Sequence, residues 1–296
     1  MTFEEFTLDV KKNLEIDGNR YEFHETENSR GEKYLGIHVI AVNTAVPNHN
    51  LDAAYRQYLD GREIKDIVHE MQQYKAKSAD ALLMVFDNPV IAMRRMMMKL
   101  HDKRLRQIPD DIVIHWITEN LYGTYHVDVT ETFNKADTGD RNACVCVTKT
   151  LADKWQMTED DLYHVVIENL KKKTTAEPMA DVMRAFGVTV PDSEIKMFVV
   201  RTSDMYGAAG ILVPEIQDYL QDQLGKEFVI IPSSIHEMIC IPKDNGLAMD
   251  LAMMITGIND DIVEDPDVLS NNPFMFAESR CHRCGKVVYK IQEMVE

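Results

Sequence analysis

Residues 196–243, KMFVVRTSDMYGAAGILVPEIQDYLQDQLGKEFVIIPSSIHEMICIPK, contain the clearest fold signal in the chain. Four apolar runs within them are too short for helices and end at turn-forming residues, which predicts buried strands at 198–200, 210–213, 228–231 and 238–241. Pro214 suits the first position of a helix, and Gly225 suits the residue that ends it. The stretch therefore predicts a strand-helix-strand-strand unit at 197–241, with the apolar face of the helix packed on a sheet.

The residues before this unit begin with alternating helical and strand patterns. Thr2 and Glu5 have the spacing of a capping box at the start of an amphipathic helix. Alternation of apolar and polar residues at 20–26 and 33–42, around a polar turn, predicts a β-hairpin. Apolar residues then recur at helical spacing over 51–59 and 64–74.

Residues 79–106 combine methionines with basic side chains at a spacing that predicts a helix. Its basic stripe is formed by Arg95, Lys99, Lys103 and Arg106. One interpretation is a helix with a methionine-rich core side and a solvated basic side. The other is a stripe that binds phosphate groups or an acidic partner, and it makes these four residues candidate binding residues.

The remaining segments complete a mixed pattern. A β meander is predicted at 112–117, 125–133 and 143–148, helices at 158–170, 178–186 and 247–258, and a last short strand at 287–291. We therefore predict an α+β fold, with a mixed or antiparallel sheet and packed amphipathic helices. Its expected parts are an N-terminal α/β module (1–107), a C-terminal α+β module (108–279) and a cysteine-bearing tail (280–296).

Composition narrows the functional classes. The chain has 296 residues, 45% of them hydrophobic, which is enough for a large core in one or two domains. A formal net charge of −17 argues against whole-chain binding to nucleic acid or anionic membranes, since both carry the same sign. Five cysteines do not indicate a disulfide scaffold in so long a chain, and the N-terminus lacks a signal-peptide pattern. We expect a cytoplasmic protein.

Parts of the sequence resemble a known family. The segments MYGAAGILVPEI (205–216) and VIIPSSIHEMICIP (229–242) are similar to a bacterial family of unknown function, DUF5688. Weaker similarity includes Arg30-Gly31, Gly36-Ile37 and residues 143–170, whereas the cysteine-bearing tail departs from the family pattern. The resemblance implies no activity, because no catalytic residues are assigned in that family.

Ser234, His236 and Glu237 place a hydroxyl, an imidazole and a carboxylate close together in the sequence. A nucleophile, its base and an orienting carboxylate need these groups, although such partners usually come from separate elements. The structural alternative is that Ser234 caps a short helical turn with Glu237 three residues later. The three residues are candidate catalytic residues without the G-x-S-x-G pattern that surrounds many nucleophilic serines.

Cys281 and Cys284 form a C-x-x-C motif that offers two thiolates to one metal ion. A tetrahedral zinc site needs four ligands, and the sequence has no second C-x-x-C motif. The other candidate donors are Cys144, Cys146, Cys240, His236 and His282. A pair of reduced cysteines without metal is the alternative, so we expect no cofactor and keep zinc as a testable possibility.

Motifs for nucleotide binding, zincin chemistry and calcium loops are missing. Together with the basic 94–106 segment and the acidic 247–279 segment, this favours a non-catalytic interaction or regulatory protein over an enzyme. The expected partner is another protein, bound through charged surfaces, and no membrane is involved. The alternative is a hydrolase-type enzyme that uses the Ser234/His236/Glu237 region or a metal at the C-terminal cysteines.

Overall fold

The computed structural model describes residues 1–18, 20–27, 33–39, 49–73, 84–106, 108, 110–132, 143–188, 196–243, 248–280 and 287–294. The predicted hairpin turn and the motif of Cys281 and Cys284 lie outside these residues. The chain divides into two compact units. The first comprises Met1–Ala92, Gln107–Pro109 and Asp128–Val145, and the second comprises Met93–Arg106, Asp110–Val127 and Cys146–Glu296. Residues 93–106, predicted to lie in the N-terminal module, thus belong to the second unit.

The helices are α1 (Phe3–Leu14), α2 (Leu51–Leu59), α3 (Ile64–Gln73), α4 (Pro89–Arg94), α5 (Lys149–Trp155), α6 (Glu159–Lys171), α7 (Met179–Ala185), α8 (Pro214–Leu224) and α9 (Ala248–Asp261). The strands are β1 (Tyr21–Glu27), β2 (Lys33–Val39), β3 (His49–Asn50), β4 (Met96–Asp102), β5 (Ile114–Trp116), β6 (Leu121–Asp128), β7 (Cys144–Cys146), β8 (Thr174–Pro178), β9 (Phe198–Thr202), β10 (Phe228–Ser234), β11 (Glu237–Pro242), β12 (Phe274–Arg280) and β13 (Val287–Glu293). They form three antiparallel sheets, so the predicted α+β class is confirmed.

The first unit is built on the predicted hairpin and helices. Thr2 and Glu5 form the expected capping box at the start of α1. Strands β1 and β2 pair antiparallel, from Tyr21 opposite Val39 to Glu27 opposite Lys33. Apolar residues of α1, α2 and α3 share one core with this sheet, in which Phe6, Val10, Ile37, Leu51 and Ile67 are buried. Burial of their apolar area is the main term that stabilises the unit.

The second unit contains a six-stranded sheet of order β13-β12-β10-β11-β9-β8. Strand β9, helix α8 and strands β10 and β11 follow each other along the chain, which confirms the predicted strand-helix-strand-strand unit. Pro214 and Gly225 lie at the two ends of α8 as expected. Strands β8 and β12 had no predicted counterpart.

The predicted strand at 210–213 is wrong, because Gly207–Leu212 forms a buried 3₁₀ helix. Its glycines lie against neighbouring elements. A Cβ on Gly207 would be 2.2 Å from the carbonyl oxygen of His236, and one on Gly210 would be 2.5 Å from Cγ2 of Thr174. Short buried apolar runs look alike in the sequence whether they form a strand or a single helical turn.

The predicted basic helix over 79–106 is also wrong beyond Arg94. Residues Met96–Asp102 form strand β4, all of it buried, which pairs antiparallel with β6 in a sheet of order β4-β6-β5, with β7 also on β6. Met96, Met98 and Leu100 alternate with period two, but the methionine-rich run also fits helical spacing. Pairing with β6 decides between the two patterns, as tertiary context overrides local preference.

Candidate functional sites in the second unit

The register of β4 and β6 places polar residues on one face of their sheet. Lys99 lies opposite Thr124, His101 opposite Tyr122, and Met97 opposite His126. Directly opposed residues of an antiparallel pair point to the same side, and alternate residues share that side. We call the group Lys99, His101, Thr124 and His126 the polar face. All four are at least nine-tenths buried, with exposures of 7%, 5%, 3% and 8%.

A chain of hydrogen bonds runs across the polar face. The Thr124 hydroxyl lies 2.8 Å from Nε2 of His126 and 2.8 Å from Nε2 of His101. A hydroxyl has one proton to donate, so at least one of the two imidazoles donates to Thr124 from Nε2. The Nδ1 nitrogen of His101 is buried without a hydrogen-bond partner among the described residues. Buried polar atoms of that kind are uncommon and call for a physical explanation.

Positively charged side chains lie near these histidines. Burial lowers the pKa of His101 well below its ordinary value, and the nearby Lys99, His126 and Arg106 lower it further. Burial, followed by Lys99, lowers the pKa of His126 to about 3. Both imidazoles are therefore neutral near pH 7. Arg106 is held in place through its guanidinium, which donates to the carbonyl oxygens of Pro266 and Val268 at 2.9 and 2.8 Å.

Tyr206 lies over the polar face in an unusual backbone conformation. Its φ of 61° is in the left-handed region, which costs a residue other than glycine about 1–3 kcal/mol. The ammonium of Lys99 is 5.1 Å from the centre of its ring, and the ring of His126 is 5.4 Å away. The exposed His236 stacks on the ring from 6.1 Å. Strained residues of this kind concentrate at functional sites, which makes Tyr206 part of the candidate site.

The predicted catalytic group Ser234, His236 and Glu237 lies in the β10–β11 hairpin. The Ser234 hydroxyl accepts a hydrogen bond from the backbone N–H of His236, and the Glu237 carboxylate accepts one from Ser233. The imidazole of His236 instead faces Asp267, at 3.6 Å, and Tyr206. These contacts do not join the three side chains into a nucleophile, base and carboxylate. The predicted helical cap at Ser234 is wrong, because this residue ends a strand.

The four predicted binding residues do not form one exposed stripe. Lys99 and Arg106 are buried, whereas Lys103 is exposed beyond the end of β4 and lies 3.8 Å from Glu119. Arg95 is partly buried in the turn before β4. The alternation of a strand separates residues that a helix would align.

The described residues contain no site that matches the predicted zinc site. Cys281 and Cys284 lie outside the described residues, and His282 lies there with them. In the part of the chain that is described, no group of three or more histidine, cysteine or acidic residues is arranged to hold a metal ion. Cys240 is fully buried on β11, and burial raises the pKa of its thiol, which opposes metal binding as a thiolate.

The opposite side of the β4–β6 sheet faces α6 and is largely apolar. Met98, Leu100 and Tyr125 are fully buried there. The Tyr125 hydroxyl donates to the Glu159 carboxylate at 2.6 Å, and the same carboxylate lies 2.6 Å from Nδ1 of His115. Burial and this hydrogen bond raise the pKa of Tyr125. We call this side the α6 face, and its contacts tie the sheet to the start of α6.

Helix α9 presents a second candidate site at the surface. Leu251, Ile255 and Asn259 are its buried side. On its exposed side, Met254, Ile258 and Ile262 follow at intervals of four residues and are 46%, 41% and 77% exposed. We call these three residues the α9 ridge.

The end of the α9 ridge is acidic. Asp260, Asp261 and Glu264 are all exposed beside it. The backbone N–H of Ile262 donates to the carbonyl of Ile258, so the helical path continues to the last ridge residue. An exposed apolar row with charged neighbours is typical of a surface that binds another molecule.

These features define an α+β protein of antiparallel sheets with a buried polar cluster and an exposed helical ridge. In the described residues, no helix is long and apolar enough to cross a membrane. A family model described as a family of unknown function, DUF5688, matches residues 3–278. The chain therefore belongs to this family, which confirms the resemblance seen in the sequence. No curated protein and no solved structure matches it.

Proposed function

We propose that the protein is a non-catalytic interaction protein that docks on a partner protein through the α9 ridge. The observation that supports this is the exposed row of Met254, Ile258 and Ile262 on a helix whose other side is packed. A helix that presents apolar anchors at intervals of one turn is suited to an apolar groove on another protein. Methionine adapts to the shape of such grooves because its side chain is flexible.

The charges around the ridge specify the chemistry of the partner. Asp260, Asp261 and Glu264 lie beside it, and the whole chain has a formal net charge of −17. A second copy of the chain or an anionic membrane would bring like charge to this surface, which opposes association. A protein groove with basic residues at its rim complements both the apolar row and the acidic end. We therefore propose a basic-rimmed apolar groove as the occupant of this surface.

Site-specific photo-crosslinking in the native cell tests the proposal. A photoreactive amino acid at Ile262 is compared with one at Phe186, since both side chains are 77% exposed. We expect one protein to be crosslinked from position 262 and not from position 186. Equal crosslinking from both positions, or none from 262, would contradict docking through the ridge.

Binding measurements with the purified partner then separate the apolar and charged contributions. Ile258→Asp should weaken binding by roughly tenfold or more, because it places a charge in the buried part of the interface. The double substitution Asp260→Asn with Asp261→Asn should lower the association rate and its dependence on salt. Circular dichroism checks that each variant is folded. A partner that binds Ile258→Asp as tightly as the natural chain does not use this surface.

A further inference from the structure

We infer that the polar face is a binding site for a small oxyanion, a phosphate or carboxylate group that accepts a hydrogen bond from Nδ1 of His101 beside Lys99. The site is separate from the α9 ridge, so its test is independent of the proposed docking function. Three observations support it: an unpartnered buried nitrogen on His101, the nearby cationic side chains of Lys99 and Arg106, and the strained Tyr206, whose ring lies against Lys99.

The hydrogen-bond chain allows the His101 nitrogen to serve as a donor. If the Thr124 hydroxyl donates to Nε2 of His101, then Nδ1 of His101 bears the proton and His126 donates to Thr124 from Nε2. An oxyanion needs this arrangement, because it can only accept. The opposite arrangement leaves Nδ1 of His101 as an acceptor, which an anion cannot use.

The charges near His101 favour an anion over a cation. Lys99 and Arg106 both act on its imidazole, and each opposes further positive charge there. Lys99 and His101 are two residues apart on the same side of β4, which places them about 7 Å apart along the strand. We therefore place the oxyanion between these two side chains. Charge-assisted hydrogen bonds of this kind are about twice as strong as neutral ones.

A metal ion is a poorer candidate for the same place. Among the described residues, no group of three or more metal-binding side chains includes these histidines. A divalent cation would also be repelled by Lys99 and Arg106. The two cationic side chains that disfavour a metal ion are those that stabilise an oxyanion.

Tyr206 limits the size of the ligand. Its partly buried ring is close to Lys99 and His126 on one side and to the exposed His236 on the other. The left-handed backbone at Tyr206 and the close approach of Gly207 to His236 fix the position of the ring. We therefore propose a small oxyanion, because a bulky ligand would have to displace this ring.

Calorimetric titration of the full chain with inorganic phosphate tests the inference, with sodium acetate as a second ligand. Saturable one-to-one binding of either ligand is expected, and the tighter of the two distinguishes a phosphate site from a carboxylate site. Nitrogen NMR with ¹⁵N-labelled histidine should show the proton on Nδ1 of His101 in the bound state. Absence of saturable binding by both ligands at millimolar concentrations would overturn the inference.

Two lysines provide a matched pair of variants. Lys99→Met should weaken binding roughly tenfold to a hundredfold, because it removes a charged partner of the anion. Lys103→Met removes an exposed lysine close by along the chain and should leave binding unchanged. Circular dichroism verifies folding of both. Equal loss in the two variants, or no loss in Lys99→Met, would place the anion elsewhere.

His101→Phe separates a ligand-binding role from a purely structural one. The ring of His101 stacks on Tyr122 at 5.1 Å, and phenylalanine can keep that contact without a polar atom. Phenylalanine also removes the hydrogen bond between Nε2 and Thr124, so the melting temperature of the variant without ligand serves as its own baseline. If Nδ1 serves a ligand, the variant should gain no stability over that baseline from the better-binding anion. A ligand-induced rise in melting temperature equal to that of the natural chain would contradict the inference.

Discussion

The two sides of the β4–β6 sheet are both buried but differ in chemistry. On the α6 face, Met98, Leu100 and Tyr125 are fully buried, and the polar groups on that side, the Tyr125 hydroxyl and the Asp102 carboxylate, both have partners. On the polar face, Lys99 and His101 are almost as deeply buried, yet one imidazole nitrogen has no partner among the described residues. Burying a large apolar side chain stabilises a fold by about 1.5–3 kcal/mol, whereas burying polar groups costs free energy unless they are paired. The α6 face is therefore suited to stability and the polar face to binding.

Leu100→Ala is expected to have the largest effect, because it removes a fully buried side chain from the α6 face. The change should lower the free energy of unfolding by about 2–5 kcal/mol, from lost apolar burial and the cavity left behind. Urea denaturation followed by circular dichroism measures it. A loss below about 1 kcal/mol would mean that the α6 face does not carry the stability assigned to it.

Acid should destabilise the protein through the polar face. The folded pKa values of His101 and His126 are lowered from the ordinary value of 6.5, so the unfolded chain takes up protons first as the pH falls. The free energy of unfolding is therefore at its full value above pH 6.5. It falls as the pH drops below 6.5, and for His126 the fall continues to about pH 3, the pKa of this residue in the folded chain. When the pH is lowered from 7.5 to 5.5, each of the two histidines should reduce the free energy of unfolding by about 1.4 kcal/mol.

His126→Phe isolates this contribution from that of the first unit, where burial lowers the pKa of His49 to about 4. We expect the urea midpoints at pH 7.5 and 5.5 to lie closer together in the variant than in the natural chain. The reduction should correspond to the contribution of one histidine to the free energy of unfolding. An unchanged pH dependence would show that His126 does not titrate as its burial implies. His49→Phe should reduce the pH dependence by a similar amount, because the pKa of His49 is also lowered below 5.5.

Gly207→Ala tests how firmly Tyr206 is held over the polar face. The added Cβ would meet backbone atoms, the carbonyl oxygen of His236 at 2.2 Å and the amide nitrogen of Thr202 at 2.6 Å. We expect a loss of about 1–3 kcal/mol, with the melting temperature as the measurement. Gly257→Ala is the control, since nothing lies within 4 Å of its Cβ position, and it should stabilise α9 by about 0.5–1 kcal/mol. Similar changes at both glycines would argue against the close approach.

Lys103→Met should have the smallest effect, because this residue is exposed beyond β4 and belongs to neither face. Its ion pair with Glu119 spans 3.8 Å, and the Glu119 side chain is 83% exposed. Water screens such a pair, so the free energy of unfolding should stay within about 0.5 kcal/mol of the natural value. A larger shift in chemical denaturation would mean that contacts outside the two faces must be included in the comparison.

Elements with strong local signals were predictable from the sequence. The capping box of Thr2 and Glu5 located α1, and Pro214 with Gly225 located α8. Strand β8, with the sequence TTAEP, carries little apolar signal and exists because it pairs with β9. Its position depends on residues distant in the sequence, which periodicity does not reveal.

The polar face was missed because β4 was interpreted as a helix. In a strand, residues two apart lie on the same side, so Lys99 and His101 share one side of β4, and Thr124 and His126 share the same side of β6. That period of two is present in the sequence, but it identifies a site only when the pairing of β4 with β6 is known. Tyr206 lies in the segment that carried the family resemblance, although the resemblance assigned it no role.

The reactivity of Cys240 can be used to measure how often the six-stranded sheet opens. Its strand lies between β10 and β9, where Cys240 is opposite Ile230 and Phe198. A thiol that is fully buried, with a raised pKa, reacts with an alkylating agent only during moments when the strands separate. The slow phase of alkylation at Cys240, followed by mass spectrometry, therefore reports how often this sheet opens, with Cys144 and Cys146 as partly exposed, faster-reacting internal references.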